Sequence, residues 1–418
     1  MHKTNQKPCT LVGHSIDCLT TAVVLSSLGN RVVIYGNELD DIARQYAFEH
    51  ELVALYEMYK SREVITLVGF DDFVPKEFEL CWLFVSDVCF DNVDVSVWIT
   101  AFNKANDTNP VILSGNLPLG DFDALAKRLK RALVYYVPFV FLVDGQAFTS
   151  MLNPHLLLIG QKTDHLLSAL MPVINGAKSV QTTDIATVEF ARASVMAMLA
   201  TRVSLMNELS RLADCQGVDI TTISHIMGQD GRLGASYLTA GAGFGGRTLP
   251  NEMMTLQASF DNKNVKNPIL SAVSELNDDQ KELLFRKFWR YFDGFIDDKT
   301  VLIVGGSYKS GSGRTDNSAI HRLLPLLWSY GITTYVAGGV ADDELIRLYD
   351  DEMLFKPSGI DVDVQAIFVL NRIDGFDVNR LAIGVPVFDA NVLSCDEIGR
   401  LKGGYFGVGR KNVKITNS

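Results

Sequence analysis

Short apolar runs, each closed by glycine or a polar residue, alternate with longer stretches of helical period through the first third of the chain. Cys9-Thr-Leu-Val-Gly13 predicts a buried strand. His14 to Leu28 predicts a helix, ended by Gly29-Asn30, and Arg31-Val-Val-Ile-Tyr35 a second buried strand. Strand, glycine, helix and strand within about thirty residues is a βαβ unit. Further strands are expected at Val64–Val68, Leu80–Val85 and Pro110–Leu113, with helices between them. Such alternation implies a mostly parallel, doubly wound sheet covered on both faces.

The period then changes. A long helix is expected from Asp184 to Asp214, and a second from about Pro268 to Phe292. After them, Lys299-Thr-Val-Leu-Ile-Val-Gly-Gly306 opens another strand–glycine–helix unit, whose helix contains Pro325. Strands at Thr333–Val336, Ala366–Leu370 and Pro386–Asp389 complete a smaller α/β region. Three domains are expected: 1–183, 184–297 and 298–418.

Composition narrows the function. The chain has 418 residues, 47% hydrophobic and 21% charged, as in ordinary soluble globular proteins. A formal charge of −11 argues against nucleic acid or an anionic membrane as partner. The N-terminus lacks an apolar leader segment, and no run reaches the ~18 apolar residues that span a bilayer. The six cysteines, Cys9, Cys18, Cys81, Cys89, Cys215 and Cys395, form no CxxC pair. They are expected to be buried, reduced thiols of a cytoplasmic protein. The seven histidines show no metal-ligand spacing, so no metal site is expected.

Candidate chemistry concentrates between Gly231 and Glu252, where five glycines fall from Gly234 to Gly246. Backbone without Cβ atoms lets N–H groups approach a ligand closely and form a concavity that suits phosphate. A dinucleotide fingerprint would place G-x-G-x-x-G after the first strand. Gly13-His-Ser-Ile-Asp-Cys18 keeps only the first glycine. Ser15 crowds the path of a pyrophosphate, and Cys18 stands where helix and strand need close packing. The second strand runs into Tyr35-Gly36-Asn37 instead of ending in a ribose-binding acid. Gly13, Ser15, Ile16, Asn37 and Asn116 are the weak candidates for cofactor contact.

The order of the pieces resembles the UDP-glucose/GDP-mannose dehydrogenase family along nearly the whole chain. The family's D-x-R-I-G and G-x-G-F-G-G-S-C-F-P-K-D phrases are similar to Asp230-Gly-Arg232-Leu-Gly234 and Gly241-Ala-Gly-Phe-Gly-Gly246-Arg-Thr-Leu-Pro-Asn-Glu252. Its E-x-x-K-x-x-x-N helix resembles Glu189-Phe-Ala-Arg192-Ala-Ser-Val-Met196, ending in Asn207-Glu208. P-E-F-L-x-E-G-x-A resembles Val140-Phe-Leu-Val-Asp144-Gly-Gln-Ala147, V-P-x-G-T resembles Leu117–Asp121, and Y-x-G-I-G-R resembles Tyr405–Arg410. The resemblance implies two Rossmann-like α/β domains around a central all-helical dimerisation domain with a long connecting helix. It also implies NAD as cofactor, a nucleotide sugar as ligand, and a homodimer.

The family oxidises a sugar's primary alcohol to a carboxylate in two NAD-dependent steps, holding the aldehyde on a cysteine thiolate. A lysine and an asparagine hold the developing oxyanion, and carboxylates manage water and protons. Carried onto this chain, the cysteine is Thr248, and the lysine and aspartate after it are Asn251 and Glu252. The helix lysine is Arg192, the asparagine Met196, and the glutamate Val140, with Asp144 an acid further along. Arg192 is expected either to contact a ligand or to pair with Glu189 one turn back. Arg232, Phe244, Gly245, Gly246 and Lys309 are the remaining nucleotide-sugar contacts, and either hold a phosphate or only keep the loop's shape. Two readings follow: a non-catalytic homologue kept for binding, regulation or scaffolding near polysaccharide synthesis, or an active NAD-dependent dehydrogenase with altered chemistry.

Overall fold

The structure is a computed structural model that describes residues 8–412, except 74–77, 79, 86–94, 105–108, 132, 140–142, 144, 164–170 and 382–383. The chain divides into two compact units, Met1–Val195 and Met196–Ser418.

The first unit is built on one sheet. Its strands are β1 (Cys9–Val12), β2 (Val32–Tyr35), β3 (Ile65–Val68), β4 (Leu80–Phe84), β5 (Val111–Ser114), β6 (Val134–Tyr136), β7 (Leu157–Gln161) and β8 (Val180–Thr183). They lie in the order β3-β2-β1-β4-β5-β6-β7-β8. Every pair is parallel except β6 with β7. The apolar runs are continuous because both faces are covered. Leu11, Ile34 and Trp82 pack on one face with Cys18, Leu19 and Val23 of helix Ile16–Ser27. Val12, Cys81 and Leu113 point to the other face, against Trp98, Phe102 and Phe122. Strands β6, β7 and β8 were not expected; β6 is three residues long and β8 is largely exposed, so neither carries a strong apolar signal.

The long helix runs Ile185–Gln216 and passes from the first unit into the second. The second unit adds helices Ile220–Gln229, Thr248–Asn262, Pro268–Gln280 and Leu283–Tyr291. The last two correct the single helix expected over 268–292. The chain breaks at Lys281–Glu282, where Glu282 N donates to Asp279 O at 3.2 Å in a tight turn and Arg286 Nη2 adds a second bond to the same carbonyl at 2.9 Å. The unit's sheet contains β9 (Thr300–Val304), β10 (Thr333–Ala337), β11 (Phe355–Pro357), β12 (Ala366–Val369), β13 (Val387–Asp389) and β14 (Tyr405–Gly407). Their order is β11-β10-β9-β12-β13-β14, all parallel. Phe288 packs its ring on Phe368 and Phe388, joining the helical part to this sheet through one aromatic core.

A polar cluster closes the sheet's far edge. Asp389, fully buried at the end of β13, accepts from Val392 N at 2.9 Å, Leu393 N at 3.3 Å and Tyr405 Oη at 2.8 Å. Burial nevertheless pushes its carboxyl up to about 6. The cysteines need a correction. Cys9, Cys18 and Cys81 are buried, but Cys215 and Cys395 are exposed, and Cys89 lies outside the described residues. Cys215 falls in the outward-facing last turn of the long helix, and Cys395 starts a four-residue surface helix.

Candidate functional site

In the first unit, Gly13 ends β1 and Ser15 caps helix Ile16–Ser27, its Oγ accepting from Cys18 N at 3.4 Å. Ile16 is the first helical residue, and Asp17 places an acid in the first turn. That turn is where an anion gains most from a helix N-terminus, so a second negative charge there opposes a phosphate. A Cβ on Gly36 would strike the Gly13 carbonyl, so only glycine allows the ends of β1 and β2 to approach this closely. Asn37 uses its Oδ1 to accept from Phe70 N at 3.3 Å, which fixes the turn after β3.

Arg192 and Asn116 meet in this unit. The Arg192 guanidinium is buried, 5% exposed. Its Nη1 donates to Gly115 O at 3.1 Å and Tyr136 Oη at 2.8 Å, and its Nη2 to Asn116 Oδ1 at 2.5 Å. The i,i−3 neighbour Glu189 has other duties. Its carboxylate accepts from Gly120 N at 3.2 Å, Phe122 N at 2.9 Å and Asp123 N at 3.2 Å, capping helix Asp121–Arg128. Burial raises the Glu189 carboxyl, and those three N–H groups oppose the shift. Val140 and Asp144 lie outside the described residues.

In the second unit, Met196 is buried on the long helix and offers no hydrogen-bond donor. Thr248 is exposed and is the first residue of helix Thr248–Asn262, whose N-cap, Arg247, makes no side-chain cap bond. Asn251 is half-buried and Glu252 buried in the same helix. Lys309 is exposed beyond β9. Arg232 is also exposed, and Asp230 binds it at 2.6 Å and raises its pKa.

The glycine loop itself is tightly held, and the holders were not anticipated. Phe244 N donates to Asn277 Oδ1 at 2.7 Å, and Asn277 Nδ2 donates back to Phe244 O at 3.1 Å. Gly241 N donates to Asn207 Oδ1 at 2.9 Å, and Gly241 O accepts from Gln280 Nε2 at 2.7 Å. Asn391 Nδ2 reaches Ala240 O at 3.2 Å, and Asn317 Nδ2 reaches Gly246 O at 3.1 Å. Gly246 has φ +79°, and a Cβ there would lie 2.7 Å from the Tyr308 ring, so this position tolerates glycine alone. Gly245 packs equally closely on Tyr308 and Asn317. The structure thus brings Gly245 and Gly246 against the segment after β9 and Phe244 against Asn277, while Arg232 pairs locally with Asp230. The one available signal was the i,i+3 spacing of Asn277 and Gln280, which puts both carboxamides on one helix face. Nearby, Arg314 pairs with Asp316 at 3.0 Å and with Glu344 at 3.1 Å.

Among the described residues no group of three or more His, Cys, Asp or Glu side chains is placed to hold a metal ion. No helix among them is long and apolar enough to cross a membrane.

Comparison with known proteins fits this layout. Residues 186–279, which hold the long helix and the glycine loop, match the UDP-glucose/GDP-mannose dehydrogenase family, central domain. A UDP-glucose 6-dehydrogenase of Rickettsia bellii is 25% identical, with 96% of this chain and 95% of that protein aligned. One from Pseudomonas aeruginosa is 30% identical over 54% of this chain and 51% of its own. The fold is that of a UDP-glucose dehydrogenase from Pyrobaculum islandicum, with TM-score 0.83 at 19% identity, covering 98% of this chain and 99% of that one. A UDP-D-ManNAc dehydrogenase from Pyrococcus horikoshii superposes with TM-score 0.75 at 15% identity, covering 97% and 99%. Residues 186–279 thus carry the central domain of the UDP-glucose/GDP-mannose dehydrogenase family, and the chain is similar along nearly its whole length to a UDP-glucose 6-dehydrogenase.

Proposed function

We propose that this chain binds a nucleotide sugar at the glycine loop but does not carry its two-step oxidation. Thr248 is the observation that carries this reading. It occupies the position that the family motif gives to the cysteine, exposed at an uncapped helix N-terminus. Such a position stabilises a thiolate. It does little for a threonine hydroxyl, which stays protonated without an adjacent base and leaves no thioester route. Met196 cannot donate to an oxyanion. Retention of the loop's shape by Asn207, Asn277 and Gln280 supports continued ligand binding. The relatives' names point to a UDP-sugar as the ligand.

In this reading residues 184–297 form the dimerising middle part, between a cofactor-type part at 1–183 and a nucleotide-type part at 298–418. Met198, Leu205 and Leu212 support a homodimer: they recur every seven residues along the long helix and are 60%, 46% and 58% exposed. The free, exposed thiols of Cys215 and Cys395 suit the reducing cytoplasm. The alternative, an active NAD-dependent dehydrogenase with altered catalytic residues, draws support from the Rickettsia relative aligned along 96% of the chain. Titration of the purified chain with UDP-glucose, then with NAD while NADH absorbance is followed, separates the two. Saturable UDP-glucose binding without NADH formation is expected. Hydride transfer to NAD would establish the alternative, and absence of UDP-glucose binding would remove the binding reading.

A further inference from the structure

We propose that Arg192 closes the second mononucleotide half of the N-terminal sheet from inside, so that the chain does not admit the nicotinamide half of NAD. In a doubly wound sheet each half holds one mononucleotide, in the crevice outside the carboxyl ends of its strands. Here the carboxyl ends of β5 and β6 are Ser114 and Tyr136, and Gly115 and Asn116 are the first residues beyond β5. Arg192 spans these ends. One guanidinium nitrogen donates to Gly115 O and Tyr136 Oη, and the other to Asn116 Oδ1. A carbonyl, a phenol oxygen and a carboxamide oxygen are the groups such a crevice would offer to a ribose or an amide. With Arg192 only 5% exposed, a ligand reaches them only by displacing a buried, hydrogen-bonded cation.

The lock has two ends. One turn earlier on the same helix, Glu189 holds the N–H groups of Gly120, Phe122 and Asp123. The segment after β5 is therefore tied to the long helix at both its start and its finish. Arginine is specific to this arrangement, because its planar fork reaches acceptors in two directions. A lysine, a point charge on a flexible stem, would leave part of the set open. The first half of the sheet adds to the misfit. Asp17 sits in the first helical turn where a pyrophosphate gains its stabilisation, and Asn37 is engaged by Phe70 N.

The inference deepens the reading of a chain that binds without oxidising, and rests on it. UDP-glucose binding and NADH formation decide that reading; the following decides this one. Nicotinamide mononucleotide is titrated calorimetrically into the full-length protein and into Arg192→Lys, and amide hydrogen exchange of 115–123 is followed with and without NADH. The wild type is expected to give no binding heat and unchanged exchange. Arg192→Lys is expected to gain saturable binding, about tenfold or more tighter than any wild-type signal. Protection of Gly115 and Asn116 by NADH in the wild type would overturn the proposal, as would equal behaviour of the two proteins. If Arg192→Lys fails to fold, Arg192→Gln replaces it, and the wild-type exchange experiment stands without any variant.

Discussion

Two single side chains, Thr248 and Asp389, carry predictions of their own. Thr248→Cys would place a thiol at an uncapped helix N-terminus, a setting that lowers its pKa. The single change is nevertheless expected to yield no sugar acid from UDP-glucose and NAD. Arg192, Met196 and Val140 still differ from the family's pattern. Chromatographic detection of the uronate in that variant would show that the rest of the site is intact. Asp389 makes a different prediction. Its folded pKa of about 6 lies above the ordinary 3.8, so the native state binds the proton more tightly than the unfolded chain. Its favourable contribution is complete below the unfolded value and is lost as pH rises through the folded one. The loss is on the order of 3 kcal/mol. An infrared band of a protonated carboxyl should disappear between about pH 5 and about pH 7 in the wild type and be absent throughout in Asp389→Asn.

At the scale of elements, the glycine loop depends on the helix that carries Asn277 and Gln280. Asn277→Ala leaves the Phe244 N–H and carbonyl without their partner in a buried place. The expected cost is about 2–4 kcal/mol in urea unfolding, together with loss of UDP-glucose binding. A cost below about 0.5 kcal/mol would mean that the loop holds itself. Elements also mark the boundary of what could be read in advance. Strands β1, β2, β4, β9 and β12 were visible because their apolar runs are local and unbroken. The glycine loop was visible for the same reason. Its holders were not: Asn277 lies 33 residues from Phe244, and Asn391 lies 151 residues from Ala240. A side chain that bonds a distant backbone leaves no periodic trace. Arg192 stood out through the family resemblance alone, and its partners at Gly115, Asn116 and Tyr136 lie 56 to 77 residues away. The break at Lys281–Glu282 escaped detection because no glycine or proline marks it.

For the whole molecule, the testable property is association. Leu205→Glu puts a charge in the middle of the Met198–Leu205–Leu212 stripe. Light scattering after size exclusion is expected to show the mass of the variant halved relative to the wild type at the same concentration. An unchanged mass would move the dimer contact elsewhere or remove it. The loop-holding side chains have one further consequence. Asn207, Asn277, Gln280, Asn317 and Asn391 are all carboxamides, which neither titrate nor attract counterions. These contacts to the loop are therefore indifferent to acidity and ionic strength. Ionic support enters one step further out, where Arg211 holds Gln280 and pairs with Asp279, so a dependence of ligand affinity on pH or salt would report on that pair, on charged neighbours such as Lys309, or on the ligand's own phosphates.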